Sequence, residues 1–404
     1  MKKTLRTVLA AAALAAGLVG TTGSAGAVTQ QGSPSVPGTL RPSASQADQD
    51  QVLTKYYDFW KKNFLTTKCG AGTYAVLSKD ADHSFVAEGE GYGMTIAAMM
   101  GGKDSQAHAI FDGLLKFVKA HPSVNNRDLH AAEQDANCKS VNGSDSATDG
   151  DLEIAYGLLI ADRVWGSAGA VNYRAEAARV INAIKKSEIN GSTKFTLLGD
   201  WANDAQYKNS TRSSDWMPGH FRAFEKATGD ASWGSVRTRQ EAAVTQLQQQ
   251  YAPNTGLLPD FVVGTNSTPK PAPANFLEGK YDGAYSWNAC RDPWRLGVDA
   301  ISAPNSAAAA QVRKMNTWIK QTTGGDPAKI STGYTLAGAK TESGEHPCFT
   351  ASFAVAAMND PGSQAWLDKL WSRIAAFTPD STDYYGVGIT VQVVLILTGN
   401  YVAA

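Results

Sequence analysis

Charge is the scarcest feature of this 404-residue chain. Only 18% of its residues are charged, and 37 basic residues balance 37 acidic ones. A chain with no basic excess lacks the electrostatic footprint that nucleic acid or an anionic membrane surface requires, so we predict neither as a partner. Aromatic residues are plentiful by contrast, with 10 Trp and 14 Tyr. A surface poor in charge and rich in flat rings suits a neutral polymer better than an ionic partner.

Long apolar runs are confined to the start of the chain. Lys2, Lys3 and Arg6 precede an apolar stretch, and the small residues at 25–27 offer a cleavage site. This pattern predicts a secretory signal peptide over residues 1–27. Its apolar core is too short for a comfortable membrane span, and no later stretch approaches one. We therefore expect a secreted, extracellular protein that has no membrane association once the signal is removed.

The remaining chain shows one change in composition. Residues 28–47 are rich in Pro, Ser, Gly and Gln and have little to bury, which predicts a flexible leader. No second linker of this kind follows. We therefore predict one large domain over residues 48–404, and we expect it to be a monomer.

Cysteine and histidine are also few. The six His and four Cys form no CxxC or HxxxH spacing, which argues against zinc. We predict no metal and no cofactor. In an oxidising compartment the four cysteines form up to two disulfides, and sequence alone leaves three pairings open. These cysteines are Cys69, Cys138, Cys290 and Cys348.

Alternating strand patterns are nearly absent, and helical periodicity dominates. Residues 108–120, for example, place Ile110, Phe111 and Leu114 on one face. About twelve helices are predicted, several of them apolar all round and therefore buried. Their approximate ranges are 50–64, 91–102, 108–120, 150–165, 171–186, 217–228, 231–251, 291–301, 305–322, 348–359, 362–377 and 387–399. Because no repeat of fixed period is visible, an all-α (α/α)₆ barrel of six helical hairpins is favoured over an α-solenoid.

Two acidic stretches stand at predicted helix starts. AEGEGYGM (87–94) precedes a helix expected from Met94, and ATDGD (147–151) opens another. A simple interpretation is that Thr148 or Asp149 caps its helix. In a barrel, however, Glu88 and Asp149 would reach the same rim. Paired carboxylates in different environments are what cleavage of a glycosidic bond needs, because one must stay protonated while another activates water.

Three segments resemble the glycoside hydrolases of family 8. Residues 147–165, ATDGDLEIAYGLLIADRVW, are similar to the family signature A-[ST]-D-[AG]-D, two free positions, [IM]-A and a closing aromatic, with Gly157 as the one departure. Residues 87–94 resemble S-E-G-x-G-Y-G-M, with Ala87 replacing Ser. Residues 288–296, NACRDPWRL, resemble Y-D-x-x-R-x-P-W-R. The segments occur in the family's order and span the whole predicted domain.

The resemblance implies an (α/α)₆ barrel that cleaves β-1,4-linked polysaccharide internally, with inversion at the anomeric carbon. Glu88 matches the general acid, and Asp149 matches the aspartate that holds the distorted sugar. An inverting route has no covalent intermediate, so Asp149 is not expected to act as a nucleophile. Asp149 would both cap its helix and grip the sugar, while Asp151 would serve structure.

The third segment departs from the family at the general base. Many members carry Asp where this chain has Asn288, which cannot take a proton from water. One branch of the family places a Glu base on an inserted loop, and the long loop before Asn288 contains Glu278 and Asp282. We favour Glu278, with Asp282 as the second candidate, and a merely solvated loop acid is the alternative. Arg291 either orients the base or forms a buried structural pair.

Aromatic side chains that match the apolar faces of sugar rings are candidate substrate platforms. Tyr92 and Trp216 are favoured because each lies beside Gly or Pro at a helix start, although core packing explains any one of these rings equally well. The other candidates are Trp201, Trp287, Tyr384 and Tyr385. With the rings, Asn288, Arg291 and Asp282 complete the predicted substrate-binding set.

The sequence does not select the polysaccharide. Cellulose or another β-glucan and chitosan are favoured over xylan by the inserted loop. Glu90, Asp282 and Asp145 would supply the extra acids that chitosan's amines attract. Because Asn288 occupies the common base position, a catalytically silent carbohydrate-binding protein is the alternative, and a polysaccharide lyase of similar fold is a weaker one.

Overall fold

The structure is a computed structural model, and it describes residues 38–80, 83–303 and 305–404. The predicted signal peptide and the first half of the predicted leader, residues 28–37, lie outside these residues. Over the described part, no helix has both the length and the apolar character needed to cross a membrane.

Twelve α-helices form the framework of the described residues, and each matches one predicted from the sequence. They are α1 (Gln46–Phe64), α2 (Ala87–Met99), α3 (Ala107–Ala120), α4 (Thr148–Trp165), α5 (Tyr173–Ser187), α6 (Pro218–Thr228), α7 (Ser232–Gln250), α8 (Asp292–Ser302), α9 (Ala307–Thr322), α10 (Pro347–Met358), α11 (Gln364–Ala376) and α12 (Tyr384–Leu397).

The even-numbered helices form a closed inner ring. Each of them contacts the next even-numbered helix, and α12 returns to contact α2. Every odd-numbered helix packs on the outside against an inner neighbour, as α3 does on α2 and α5 on α4. The inner helices α10 and α12 are buried almost residue by residue, because apolar side chains on every face find partners only between two layers. The predicted (α/α)₆ barrel is confirmed.

Short strands line one end of the barrel. They are β1 (Leu65–Thr66), β2 (Ala75–Val76), β3 (Phe85–Val86), β4 (Glu133–Gln134), β5 (Ser210–Arg212), β6 (Phe261–Val263) and β7 (Lys270–Pro271). β1 pairs with β2, β3 with β4, and β5, β6 and β7 form a three-stranded antiparallel sheet. Sequence periodicity did not predict these strands, because two or three residues are too few to show alternation.

The sequence left open three ways of pairing the four cysteines. The structure contains one disulfide, between Cys69 and Cys138. Cys290 and Cys348 are buried free thiols with their Sγ atoms 3.2 Å apart.

The chain joins the folded body earlier than the boundary predicted at residue 48. The Leu40 N–H donates to the Met358 carbonyl at 2.9 Å. The Ser43 backbone N–H donates to the Asp368 carboxylate at 2.8 Å. Ser45 then caps α1 by accepting from the Asp48 N–H at 3.1 Å. The last residues of the predicted leader are therefore part of the domain.

Helices α2 and α4 approach each other so closely that residues 91 and 150 have no space for a side chain. A Cβ on Gly91 would lie 2.5 Å from the Glu153 Cβ, and a Cβ on Gly150 would lie 2.5 Å from the Ala87 Cβ. Real Cβ atoms essentially never come so close. The glycines that the sequence placed near the acidic stretches therefore allow two helices to come into contact, and this contact sets Glu88 beside Asp149.

We predict that Gly150→Ala destabilises the protein by roughly 1–3 kcal/mol, the usual cost of overpacking a filled core. Its methyl would meet the Ala87 backbone carbonyl carbon at 2.6 Å, so α2 and α4 must separate. Denaturant unfolding and hydrolytic activity measured together should show both losses. Gly219→Ala, in the first turn of α6, is the control, because a Cβ there meets nothing within 4 Å. Equal stability of the two variants would contradict this account of the contact.

Candidate active site

Glu88 enters the site from the first turn of α2. Strand β3 delivers the chain to Ala87, whose N–H donates to the Ala132 carbonyl at 2.8 Å, and α2 begins at once. The sequence pattern predicted a helix that begins between residues 91 and 94, after Glu88. This start is wrong, because glycines 91 and 93 serve packing between helices instead of breaking the helix. Tyr92, one turn further on, donates its hydroxyl hydrogen bond to Glu88 Oε1 at 2.9 Å.

Asp149 lies in the first turn of α4, and its side chain is not a cap in the predicted sense. The N-cap residue is Ala147, which makes no side-chain cap bond, and the Thr148 hydroxyl has no hydrogen-bond partner in the described structure. Asp149 Oδ1 accepts from the N–H of the next residue, Gly150, at 2.9 Å. Its other oxygen, Oδ2, faces two arginines.

Two arginines hold the carboxylates. Arg291 is almost fully buried at the start of α8, where its Nη1 contacts Glu88 and donates to Asp149 Oδ2 at 3.0 Å. Its Nη2 donates to Asn288 Oδ1 at 2.9 Å. Arg212, at the end of β5, places Nη1 3.4 Å from Asp149 Oδ2 and Nη2 3.4 Å from Glu278 Oε1. Arg291 thus forms buried ion pairs, and it also contacts Asn288, which in turn donates a hydrogen bond to Glu278.

Glu278 lies on the loop between β7 and α8, with about half of its side chain exposed (49%). Asn288 donates its side-chain N–H to Glu278 Oε2 at 2.7 Å. The residue at the common base position thus holds the candidate base in place. Phe276 anchors the loop through ring contacts with Tyr207 and Phe261, while Leu277 stays largely exposed.

Asp282, the second candidate base, is committed to the loop backbone. Its carboxylate accepts from the N–H groups of Leu277, Glu278 and Gly279 at 2.7, 3.1 and 2.9 Å. The side chain is buried and does not line the cleft. Asp282 was predicted to bind substrate or to act as the alternative base. The structure supports neither role, because both of its oxygens accept hydrogen bonds within the turn that carries Glu278.

The two carboxyls on the α2–α4 contact have opposite tendencies. Burial raises the pKa of Glu88 above its ordinary value, and the nearby Asp149 charge adds to this, although Arg291 opposes it. Burial also disfavours ionisation of Asp149, but Arg212 and Arg291 together outweigh it and hold the pKa of Asp149 below its ordinary value. One carboxyl is therefore suited to keep a proton and the other to stay ionised.

These side chains line a cleft of about 790 Å³. Three aromatic residues, Trp287, Tyr384 and Tyr385, lie on its wall. Trp287 is 39% exposed, so it is the ring most accessible to a sugar. Tyr385 also packs against Arg291, with the guanidinium carbon 5.8 Å from the ring centre.

The two favoured platforms are not in the cleft. Tyr92 is buried beneath Glu88 and positions it. Trp216 is buried against Phe195 and donates its indole N–H to the Thr211 hydroxyl at 3.1 Å. Both rings are core residues, because the Gly and Pro beside them serve packing and the helix start. Trp201 likewise packs on a small cluster of buried residues outside the cleft.

Two polar residues of the cleft, Arg212 and Glu133, were not predicted from the sequence. Arg212 comes from the short strand β5, and Glu133 comes from β4, where His83 Nδ1 contacts it at 2.8 Å. No motif marks either residue, since both reach the site through strands too short to predict. By contrast Asp151 is buried behind the site and accepts from the His130 N–H at 3.0 Å, in keeping with a structural role.

Comparison with known proteins identifies the family. The model of glycosyl hydrolases family 8 matches residues 40–399. A β-glucanase of Niallia circulans is 41% identical, covering 90% of this chain and 88% of the relative. An endoglucanase of Bacillus sp. (strain KSM-330) is 36% identical over 90% of this chain and 79% of the relative.

Solved structures show the same fold. The apo structure of a β-1,3-1,4-glucanase from Paenibacillus sp. X4 superposes with a TM-score of 0.89 at 41% identity, covering 92% of this chain and 98% of that one. A xylobiose complex from Teredinibacter turnerae shares the fold at 17% identity, with a TM-score of 0.76 over 89% of this chain and 95% of that one. This chain therefore belongs to the glycosyl hydrolases of family 8 and is an O-glycosyl hydrolase.

Proposed function

We propose that this enzyme hydrolyses internal β-1,4 bonds of a β-glucan with inversion at the anomeric carbon. The observation that carries the proposal is the pair Glu88 and Glu278. One is buried and inclined to keep its proton, the other is half exposed, and both line one cleft without touching each other. An inverting glycosidase needs such a separated acid and base, with room for water between them.

The reaction follows from these positions. Protonated Glu88 donates its proton to the glycosidic oxygen as the bond to the anomeric carbon breaks. Glu278 takes a proton from a water molecule as that water's oxygen bonds to the opposite face of the same carbon. Asp149, ionised between two guanidiniums, stabilises the positive charge that develops on the sugar ring. At the end of the reaction Glu88 is ionised and Glu278 is protonated. Proton exchange with solvent then restores the starting state of both carboxyls.

The charges in the cleft favour a neutral glucan over chitosan. Of the acids considered for binding amines, Glu90 is buried and accepts from the Val76 N–H at 2.8 Å, and Asp282 is tied to its own loop. Of the carboxylates that do reach the cleft, Asp149 and Glu278 face arginines and Glu133 contacts His83. The relatives at 36–41% identity are named as glucanases, including one for mixed β-1,3-1,4-glucan.

A panel assay tests the substrate. We expect the purified enzyme to release reducing sugar fastest from mixed-linkage β-glucan, more slowly from soluble cellulose derivatives, and far more slowly from xylan and chitosan. Viscosity should fall early in the reaction, since cleavage is internal. Chitosan as the best substrate would contradict the neutral-glucan assignment while leaving the acid–base pair in place.

Glu88→Gln is the matched control for that panel. The amide keeps the shape of the side chain but carries no proton to donate, so activity on every polymer should fall by about 10²–10⁴-fold, the usual contribution of one acid–base group. Thermal unfolding should stay close to wild type. Binding of polysaccharide without hydrolysis by the wild-type enzyme would instead favour a silent carbohydrate-binding protein.

Replacing the two loop acids in turn tests the identity of the base. Glu278→Gln should lower kcat by about 10²–10⁴-fold, because no group remains to take the water proton. Asp282→Asn should cost no more than about tenfold, the effect of weakened hydrogen bonds in the turn. Both variants are compared by kcat and by the anomer released first, which NMR should show as α. The reverse order of losses would assign the base to Asp282.

We further propose that the protein is secreted. The basic and apolar pattern of residues 1–27 supports this, as does the disulfide between Cys69 and Cys138, since such bonds persist in oxidising compartments. We expect N-terminal sequencing of protein from the culture medium to begin near residue 28. An intact N terminus retained inside the cell would contradict secretion.

A further inference from the structure

A buried carboxylate outside the acid–base pair lies behind Arg212. Asp215 ends a short 3₁₀ turn that follows β5, and its side chain is completely buried. Neither of its carboxyl oxygens has a hydrogen-bond partner among the described residues. Its nearest cation is Arg212, whose Nη1 is 3.7 Å from Asp215 Oδ2, too long for a hydrogen bond. A buried carboxylate without hydrogen bonds costs stability, so its retention calls for an explanation.

Arg212 is shared among three carboxylates. On the cleft side its two terminal nitrogens face Asp149 and Glu278, each at 3.4 Å. On the core side it faces Asp215. The guanidinium is only 12% exposed and packs over the ring of Phe261. The buried charges of Arg212, Asp149 and Asp215 are weakly screened, whereas the half-exposed Glu278 is screened more. The attraction of Arg212 to each partner therefore depends on the charges of the other two.

We propose that Asp215 is a positioning residue that acts through Arg212. Its negative charge draws the guanidinium toward the core and so weakens the hold of Arg212 on Asp149 and Glu278. With Asp215 neutral, the full charge of Arg212 acts on the cleft. Asp215 thereby controls how strongly the carboxyls of the cleft retain protons. This inference rests on the acid–base assignment proposed above and adds a residue that does not contact the substrate.

The charged surroundings allow this control. Asp149 on α4, Arg291 before α8, and Arg295 and Asp292 on α8 also act on Asp215 electrostatically. Asp292 accepts from the Ser213 hydroxyl at 2.9 Å. Burial is the largest effect and raises the pKa of Asp215 to about 7, with Arg212 opposing it. The charge of Asp215 therefore changes in the neutral range.

The sign of the effect follows from that pKa. Below about pH 6 Asp215 is neutral in the wild type, so Asp215→Asn changes nothing there. Well above pH 7 the wild type carries one more negative charge than the variant. This charge weakens the action of Arg212, which lowers the pKa of Glu88, and so keeps this acid protonated to higher pH. The variant lacks that charge. Its Glu88 loses the proton earlier as the pH rises.

The experiment is the pH dependence of kcat/KM for wild type and Asp215→Asn on one soluble β-glucan. We expect the acidic limb to coincide and the alkaline limb of the variant to move to lower pH by half a unit or more. The variant should remain folded, because Asn has the size of Asp and removes a buried charge. Coincident limbs on both sides, with or without a change in Tm, would overturn the proposal.

Two controls separate this result from other causes. Glu188→Gln replaces another fully buried carboxyl by an amide. Glu188 accepts from the Ser146 hydroxyl and does not contact Arg212, so this variant should leave the alkaline limb unmoved. In an Arg212→Gln background the further change Asp215→Asn should have no effect on the limb, and a full shift there would exclude action through Arg212. If Asp215→Asn does not fold, absence of an ionisation near pH 7 in wild-type kcat overturns the proposal.

The outcome is distinct from failure of the proposed function. Full activity in Glu278→Gln would refute the base, whatever Asp215 does. An unmoved alkaline limb with an inactive Glu278→Gln would refute only the role of Asp215.

Discussion

The site depends on a close contact between two helices, in which a glycine of each helix lies against a residue of the other. Gly91 of α2 and Gly150 of α4 each leave space that a methyl group would overfill. Gly157 extends the contact along α4, where an added Cβ would lie 3.2 Å from the Met94 Cβ. Glycine in a helix interior costs about 1 kcal/mol relative to alanine. The close approach offsets this cost by placing two carboxyls, from the first turns of α2 and α4, around one guanidinium.

The same one-turn spacing builds a second layer below the first. On α2, Tyr92 lies four residues after Glu88, and on α4, Glu153 lies four residues after Asp149. Arg295 of α8 lies four residues after Arg291, the residue that caps this helix. Glu153 contacts Arg295, and this ion pair holds the pKa of Glu153 down to about 2 despite burial. Because residues i and i+4 share a helix face, the layer below fixes the rotations of the three inner helices. Glu88 and Asp149 therefore pack on a layer of charged and hydrogen-bonded side chains.

The sequence predicted the helices well because their signal is long and periodic. It predicted Glu88, Asp149 and Arg291 through motifs at the starts of α2, α4 and α8, because each motif is a continuous segment of the chain. It failed where a contact joins distant segments. Tyr92 and Trp216 look like accessible rings from their neighbours, yet only the packed structure shows them to be core. Arg212 carries no motif, because its importance arises from Asp149 and Glu278, which lie on other elements.

The placement of the candidate base on a loop follows from what each acid must do. Glu88 benefits from burial, since a low-dielectric surrounding favours its protonated form. A base that activates water needs access to water, which the filled barrel interior denies to an inner helix. A loop supplies access but not rigidity, and three devices restore it: the Asp282 turn, the Phe276 anchor and the Asn288 hydrogen bond. The Asn288 side chain is an amide donor, and its hydrogen bond holds the exposed Glu278 carboxylate in place.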